Sequence, residues 1–275
     1  METIKVRYIA SDISLGRLRL LYRNIRFSIH SLKRGYFDFI WNAIYSIGII
    51  VRNFFADFFL KNQVQCNICG WKGHNFYPNT GSGYFKKETM CPRCLNVGRY
   101  RSIIEILEKK TSFFDSSKKC IEVAPSRTLQ KFFLEKKKDN YISFDFERFA
   151  MEHGDITKMH YPDESCDFFL CLHVLEHIKD EEKALYEIRR VLKPSGMAII
   201  QVPMDSSIDE TYEYKMPDPR ETNHVRRYGL DFSSRMEKFG FIVDEYTVEG
   251  IFSDEEIDYF GLSKDLFFLL NKKNT

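Results

Sequence analysis

The chain has 275 residues, 44% of them hydrophobic and 15% aromatic, and a formal net charge of +2. That length accommodates one large domain and a small one, and so even a charge balance excludes a protein that clamps nucleic acid by bulk charge alone. No secretory leader is read at the start, because the first apolar run begins late and no small-residue cleavage site follows it, so the seven cysteines suit a reducing cytoplasm.

Residues 1–34 carry eight Lys/Arg against two acids. Arg17, Arg19, Arg23, Arg26, Lys33 and Arg34 lead into the apolar stretch YFDFIWNAIYSIGIIVRNFFADFFL, residues 36–60. Its uncharged centre, Phe39 to Val51, is 13 residues long, short of the ~20 needed to cross a ~30 Å hydrocarbon slab. Phe37, Ile40, Trp41, Ile44, Ile47, Val51, Phe54, Phe55 and Phe58 fall at helical spacing. The expectation is a helical arm over residues 1–62, basic and then apolar. Three placements stay open for it: peripheral contact with the inner membrane face through residues 17–60, packing against the catalytic domain or in a dimer, and a true span.

Residues 63–101 read as a zinc-ribbon-like module. Cys66 and Cys69 form one Cys-x-x-Cys pair, and Cys91 and Cys94 form the other. Two such knuckles can aim four thiolates at one point and close a tetrahedron around Zn²⁺, leaving no open ligand position. The competing readings are two disulfides or a redox pair. Trp71, Lys72, His74, Phe76, Tyr77, Phe85, Lys86, Lys87, Arg93, Arg99 and Arg101 interleave bases and rings. They would fit RNA by phosphate contact and stacking, or would fill the module's own small core.

From residue 102 to 275 the pattern alternates strand-like and helix-like runs, which argues an α/β domain with a parallel sheet and helices on both faces. Strands are expected at Lys119–Ala124, Tyr141–Phe144, Cys166–Leu172, Met197–Val202, Phe241–Tyr246 and Leu266–Leu270. Helices are expected at Thr128–Lys138 and from about Lys179 to Leu192, with a turn at Lys193-Pro194-Ser195-Gly196. Ligands of such sheets sit beyond the carboxyl ends of the strands. Glu122 lies at the first strand end, and Asp145 ends the second, where an acid grips a ribose. His173 follows the third. The loop after the first strand, Ala124-Pro125-Ser126-Arg127-Thr128, has no glycine.

The stretch HGDITKMHYPDESCDFFLCLHVLEHIKDEEKALYEIRRVLKPSGMAIIQVP, residues 153–203, resembles class I S-adenosylmethionine-dependent methyltransferases. Gly154-Asp155, Pro162–Asp167, His173–His177 and Arg190–Gly196 match successive elements of that pattern, with Ser195 where a glycine is usual. A closer resemblance is to bacterial methyltransferases that carry a tetracysteine module in front. Ala124-Pro125-Ser126 fits their first loop, and Thr211–Tyr214 with Asn223–Gly229 fits a late motif. Tyr214 and Asn223 depart from it, each standing where Asp is usual.

The resemblance implies a Rossmann-like fold and S-adenosylmethionine as cofactor. It implies that Glu122 and the Ala124–Ser126 backbone hold the cofactor's amino-acid end, that Asp145 takes the ribose hydroxyls, and that Asp155 and Ile156 meet the adenine edge. Leu172 and His173 would line the sulfonium side. His224 is the first candidate for a general base and His173 the second. The acceptor is expected to be a hydroxyl of a glycan or small metabolite, with RNA methylation and a catalytically inactive cofactor-fold binding protein as rivals. His173-Val174-Leu175-Glu176-His177 also matches the H-x-x-E-H metallopeptidase pattern, which requires both histidines on one helix.

Overall fold

The computed structural model describes Tyr22 and residues 37–81, 84–146, 150–218 and 223–273. The basic segment Arg17–Arg34 lies outside the described residues. In chain order the elements are helix α1 (Phe37–Phe59), strands β1 (Val64–Gln65), β2 (Lys72–Gly73), β3 (Tyr77–Gly81) and β4 (Tyr84–Met90), and helix α2 (Gly98–Lys110). Next come β5 (Cys120–Val123), α3 (Arg127–Lys137), β6 (Tyr141–Asp145), β7 (Glu152–His153), β8 (Cys166–Leu172), α4 (Glu181–Val191) and β9 (Leu192–Gln201). The chain ends with β10 (Tyr212–Asp218), β11 (His224–Arg227), α5 (Phe232–Lys238), β12 (Phe241–Thr247), α6 (Asp254–Phe260) and β13 (Leu266–Lys272). They form two compact units, one of residues 1–106 with 248–265 and the other of 107–247 with 266–275.

The second unit is built on a seven-stranded sheet in the order β12-β13-β9-β8-β5-β6-β7. Strands β5, β6, β7, β8 and β9 are parallel, and β12 and β13 form an antiparallel pair at one edge. This is a Rossmann-like α/β sheet. The run Cys166–Leu172, apolar but for Asp167, is buried at every residue, as a strand covered on both faces must be. Helix α4 shows why it packs: Ala184, Leu185, Ile188 and Val191 fall at helical spacing and are all buried. Asp180 caps its start by accepting from the Lys183 amide.

One expectation fails in detail. Lys193–Gly196 is not a free turn but lies inside β9, where the register against β8 jumps from Cys166↔Leu192 to Phe168↔Met197. The extra residues form a bulge, and Lys193 Nζ uses it to reach Asp167 at 2.8 Å.

In the first unit, α1 packs one face on β3. Ser46, Ile49, Ile50 and Asn53 are buried. Asn53 Nδ2 donates to Phe76 O at 2.9 Å, and Asp57 accepts from the His74 amide at 2.9 Å and the Tyr77 hydroxyl at 3.1 Å. Ile44, Tyr45, Val51, Phe55, Phe58 and Phe59 are exposed. No helix among the described residues is long and apolar enough to cross a membrane.

Trp71, Phe76 and Tyr77 are buried against one another, with ring centroids 5.7 and 6.2 Å from Trp71. Arg101 is fully buried over the Phe76 ring, 3.8 Å from its centroid. Its guanidinium donates to Phe260 O (2.6 Å), Asn96 O (3.0 Å), Thr89 O (2.9 Å) and Gly261 O (2.8 Å). These four carbonyls belong to three stretches of the chain, so one side chain ties the unit together. Lysine has three donors on a point charge and no planar face to stack. Arg101→Lys is expected to destabilise this unit by about 3 kcal/mol, read as a lower denaturant midpoint in tryptophan fluorescence.

Candidate active site

The parallel strands place a cleft of about 480 Å³ beyond their carboxyl ends. It is lined by Val123, Ala124, Asp145, Phe146, Gly154–Thr157, His173, Val174 and His177–Asp180. It forms where the chain leaves β5 toward β6 on one side while β8 lies on the other, the switch point at which such sheets take their ligands. Its size falls within the ~300–1,000 Å³ usual for small-molecule clefts.

At the head of the cleft, Ala124 adopts φ +49°, a left-handed conformation usually given to glycine. The glycine-free loop thus makes the turn that a glycine would make, and the Ala124 amide donates to Phe144 O at 2.9 Å. Ser126 does not line the cleft. It caps α3, its hydroxyl accepting from the Leu129 amide.

Glu122 is also off the cleft wall: it is 2% exposed, and the Tyr141 hydroxyl donates to it. Burial pushes its carboxyl up to about 8, a rise that the Tyr141 bond opposes only in part.

Asp145 is the last residue of β6 and half-buried at the cleft wall, with the exposed ring of Phe146 beside it. Asp155 Oδ1 accepts from the Thr157 amide and hydroxyl, both at 2.8 Å, which fixes the turn that puts Ile156 into the wall. Leu172 is buried at the end of β8. His173 follows it at φ +57°, its Nδ1 3.3 Å from Glu176 Oε1. His173 Nε2 is buried without a hydrogen-bond partner among the described residues. Leu175–His177 is a single 3₁₀ turn, so His173 and His177 do not share a helix and the peptidase geometry is absent.

The late motif Thr211–Tyr214 with Asn223–Gly229 becomes the hairpin β10–β11, in which Glu213 faces Arg226. Arg226 is 2% exposed. It donates to Leu175 O (2.6 Å), Ile178 O (2.7 Å) and Lys179 O (3.2 Å), and pairs with Glu213 at 3.0 Å. It therefore holds the 175–179 turn that forms one wall of the cleft. Tyr228 and Arg235 both reach buried Glu181, each at 2.5 Å. A Cβ on Gly229 would meet Ile208 O at 2.8 Å, which explains the glycine. His224 opens β11, half-buried, with its ring 4.8 Å from that of His177. The cleft lining includes His177, which His224 abuts.

Residues 105–200 match the family model described as methyltransferase domain. A Bacillus subtilis protein named "Uncharacterized methyltransferase YcgJ" is 31% identical over 121 residues, which is 42% of each chain. A Mycolicibacterium smegmatis protein named "Probable S-adenosylmethionine-dependent methyltransferase" is 26% identical over 38% of this chain and 40% of its own. The chain thus spans about two fifths of the length of these curated relatives. The crystal structure of Bacillus subtilis YcgJ aligns at 14% identity and a TM-score of 0.43, over 64% of this chain and all of that one. That score adds nothing to the topology described above. Within the second unit, the cleft wall and the strand-end acids come from the chain's own sheet order.

In the other unit, Cys66, Cys69, Cys91 and Cys94 bring their sulfurs within 4.8 Å of one another. Cys66 and Cys94 Sγ are 3.7 Å apart, and Cys69 and Cys91 Sγ are 3.6 Å apart. A tetrahedron of Zn–S bonds near 2.3 Å has edges of about 3.8 Å, whereas a disulfide brings its sulfurs to about 2.0 Å. The donor set and spacing fit a tetrahedral thiophilic ion, and all seven cysteines are free.

Glu122 gives a testable pH dependence. Its folded-state pKa is raised, so the folded protein holds a proton that the unfolded chain releases. Stability without ligand should therefore fall as pH rises from about 4.5 to about 8. Glu122→Gln should flatten that fall, by on the order of 3 kcal/mol at the alkaline end, in thermal melts across the range.

Proposed function

We propose that this chain is an S-adenosylmethionine-dependent methyltransferase acting on a hydroxyl of a glycan or other small metabolite. The observation that carries it is the cleft at the sheet's switch point, with strand-end Asp145, the Asp155–Ile156 turn and His173 on its wall. Bound S-adenosylmethionine supplies an electrophilic methyl group on a sulfonium. Asp145 accepts from both ribose hydroxyls, and the flat ring of Phe146 covers the adenine. Asp155 and the Ile156 amide take the adenine edge. The Ala124–Ser126 backbone, with Glu122 behind it, holds the amino-acid end. Leu172 and His173 face the sulfonium.

The protein's own contribution is alignment and removal of one proton. When the bound cofactor supplies its methyl group, the acceptor's hydroxyl proton would go to a base, His224 first and His173 second. His224 reaches the site through its contact with His177.

The four cysteines would hold a structural Zn²⁺ in a zinc-ribbon-like module over residues 63–101, between the 1–62 arm and a 102–275 methyltransferase domain. The arm would rest peripherally on the inner membrane face, with the protein itself in the cytoplasm. The exposed apolar face of α1 and the basic residues ahead of it in sequence support that reading. Burial of Trp71, Phe76, Tyr77 and Arg101 removes much of the stacking surface that an RNA reading needs.

Calorimetric titration with S-adenosylmethionine should give saturable heat, competed by the demethylated product. Asp145→Ala should weaken binding by roughly 10- to 100-fold, the worth of about two hydrogen bonds to a charged group. Absence of heat in the intact protein would favour an inactive fold. With labelled cofactor and fractionated extracts, label confined to RNA would overturn the acceptor assignment.

Zinc removal has a separate signature. Chelation or Cys91→Ser should unfold the cysteine module, seen as loss of the Trp71 fluorescence environment, at a temperature where the intact protein stays folded.

A further inference from the structure

Three ligand-type side chains, one of them the base named above, converge beside the cleft. Glu176, His177 and His224 each present an atom within 4.8 Å of the others. His177 lines the cleft. Glu176 is 1% exposed, and its Oε2 has no hydrogen-bond partner among the described residues. Its Oε1 lies 3.3 Å from His173 Nδ1. A buried carboxylate with an unsatisfied oxygen is costly unless a proton or a cation meets it. Two imidazoles and one carboxylate are also a set that divalent transition metals take, with positions left open.

The backbone beneath is already fixed. Arg226 bonds Leu175 O, Ile178 O and Lys179 O, on both sides of Glu176 and His177, and lies two residues from His224 on the same strand. Two elements that share no local sequence are thereby locked with their ligands facing. We infer that Glu176, His177 and His224 bind one divalent transition-metal ion at the edge of the cleft. Bonds of about 2.1 Å place neighbouring ligand atoms about 3.4 Å apart, so the three must draw in by up to about 1.4 Å from a spacing within 4.8 Å. The exposed ring of His177 can make most of that movement.

The consequence, unlike the site itself, rests on the methyl-transfer reading. An acceptor hydroxyl bound to the ion gives up its proton more readily. His224 then holds the ion, and His173 takes the proton.

The test is a metal count on the full-length protein, equilibrated with Zn²⁺ and desalted. The intact chain should retain about two ions, one at the four cysteines and one here. His177→Ala and the near-isosteric Glu176→Gln should each retain about one. Loading with Co²⁺ identifies which ion is lost: thiolate charge-transfer absorption should persist in both variants, while the weaker bands of a histidine–carboxylate site vanish. One ion in the intact chain, or two in both variants, would overturn the site. The count needs no catalysis. Two ions in a protein blind to S-adenosylmethionine would keep the site and sink the activity, and one ion in a protein that binds the cofactor would do the reverse.

Discussion

The second unit depends on the position of β5 between two parallel neighbours. Cys120–Val123 bonds to Tyr141–Phe144 on one edge and to Phe168–Cys171 on the other. All three strands point the same way, so their carboxyl ends rise on one side of the sheet. The chain leaves β5 toward β6, and the connection that brings it back to β8 must pass on the opposite side of the crossover. The loops after β5 and β8 therefore diverge, and the gap between them is the cleft. Ala124, Asp145 and His173 face one another because each is the first or last residue at a strand end, not because they are near in sequence.

A gap of this kind needs walls that do not collapse into it. One wall is the 175–179 turn, which has no helix or strand to hold it. Arg226 supplies that support by donating to three of its carbonyls while paired with Glu213. A buried guanidinium is tolerable only when its donors are satisfied, and here the carbonyls and the carboxylate do so together. Glu181, at the start of the next helix, is held in the same manner by Tyr228 and Arg235. The β10–β11 hairpin is thus a brace for the wall rather than only a source of one histidine.

The periodic parts of this arrangement were legible from sequence. The buried strand Cys166–Leu172 has the bounds its apolar run suggests, and the Cys-x-x-Cys pairs bring four sulfurs together as their spacing requires. What resisted reading follows from non-local bonding. The hairpin Tyr212–Arg227 is polar and half-exposed, so its pairing leaves no alternation to detect. Glu122 reads as a strand-end ligand, yet the partner that fixes its burial, Tyr141, comes from the neighbouring strand. Lys193–Gly196 has turn composition, but the sheet absorbs it as a bulge. Phe146 lines the cleft and was not singled out. An aromatic directly after a strand-end acid was the signal available for it.

The two metal-capable groups differ in physical kind, and the difference decides what each can do. Cys66, Cys91 and Cys94 are buried, and four sulfurs around an ion would complete a tetrahedron and leave no position for substrate. Four thiolates around Zn²⁺ leave a net charge near −2, which an apolar module must offset. Arg101 sits wholly buried in that unit. Burial pushes its pKa down, and the four cysteine sulfurs pull it back up. With zinc bound, a cation that would be intolerable alone would be held by the same thiolates whose charge it balances, while its four carbonyl bonds fix the surrounding chain. The Glu176–His177–His224 group has the opposite character: two of its three members reach toward solvent or the cleft. The first arrangement suits an ion that only holds structure, and the second suits an ion that must meet a substrate.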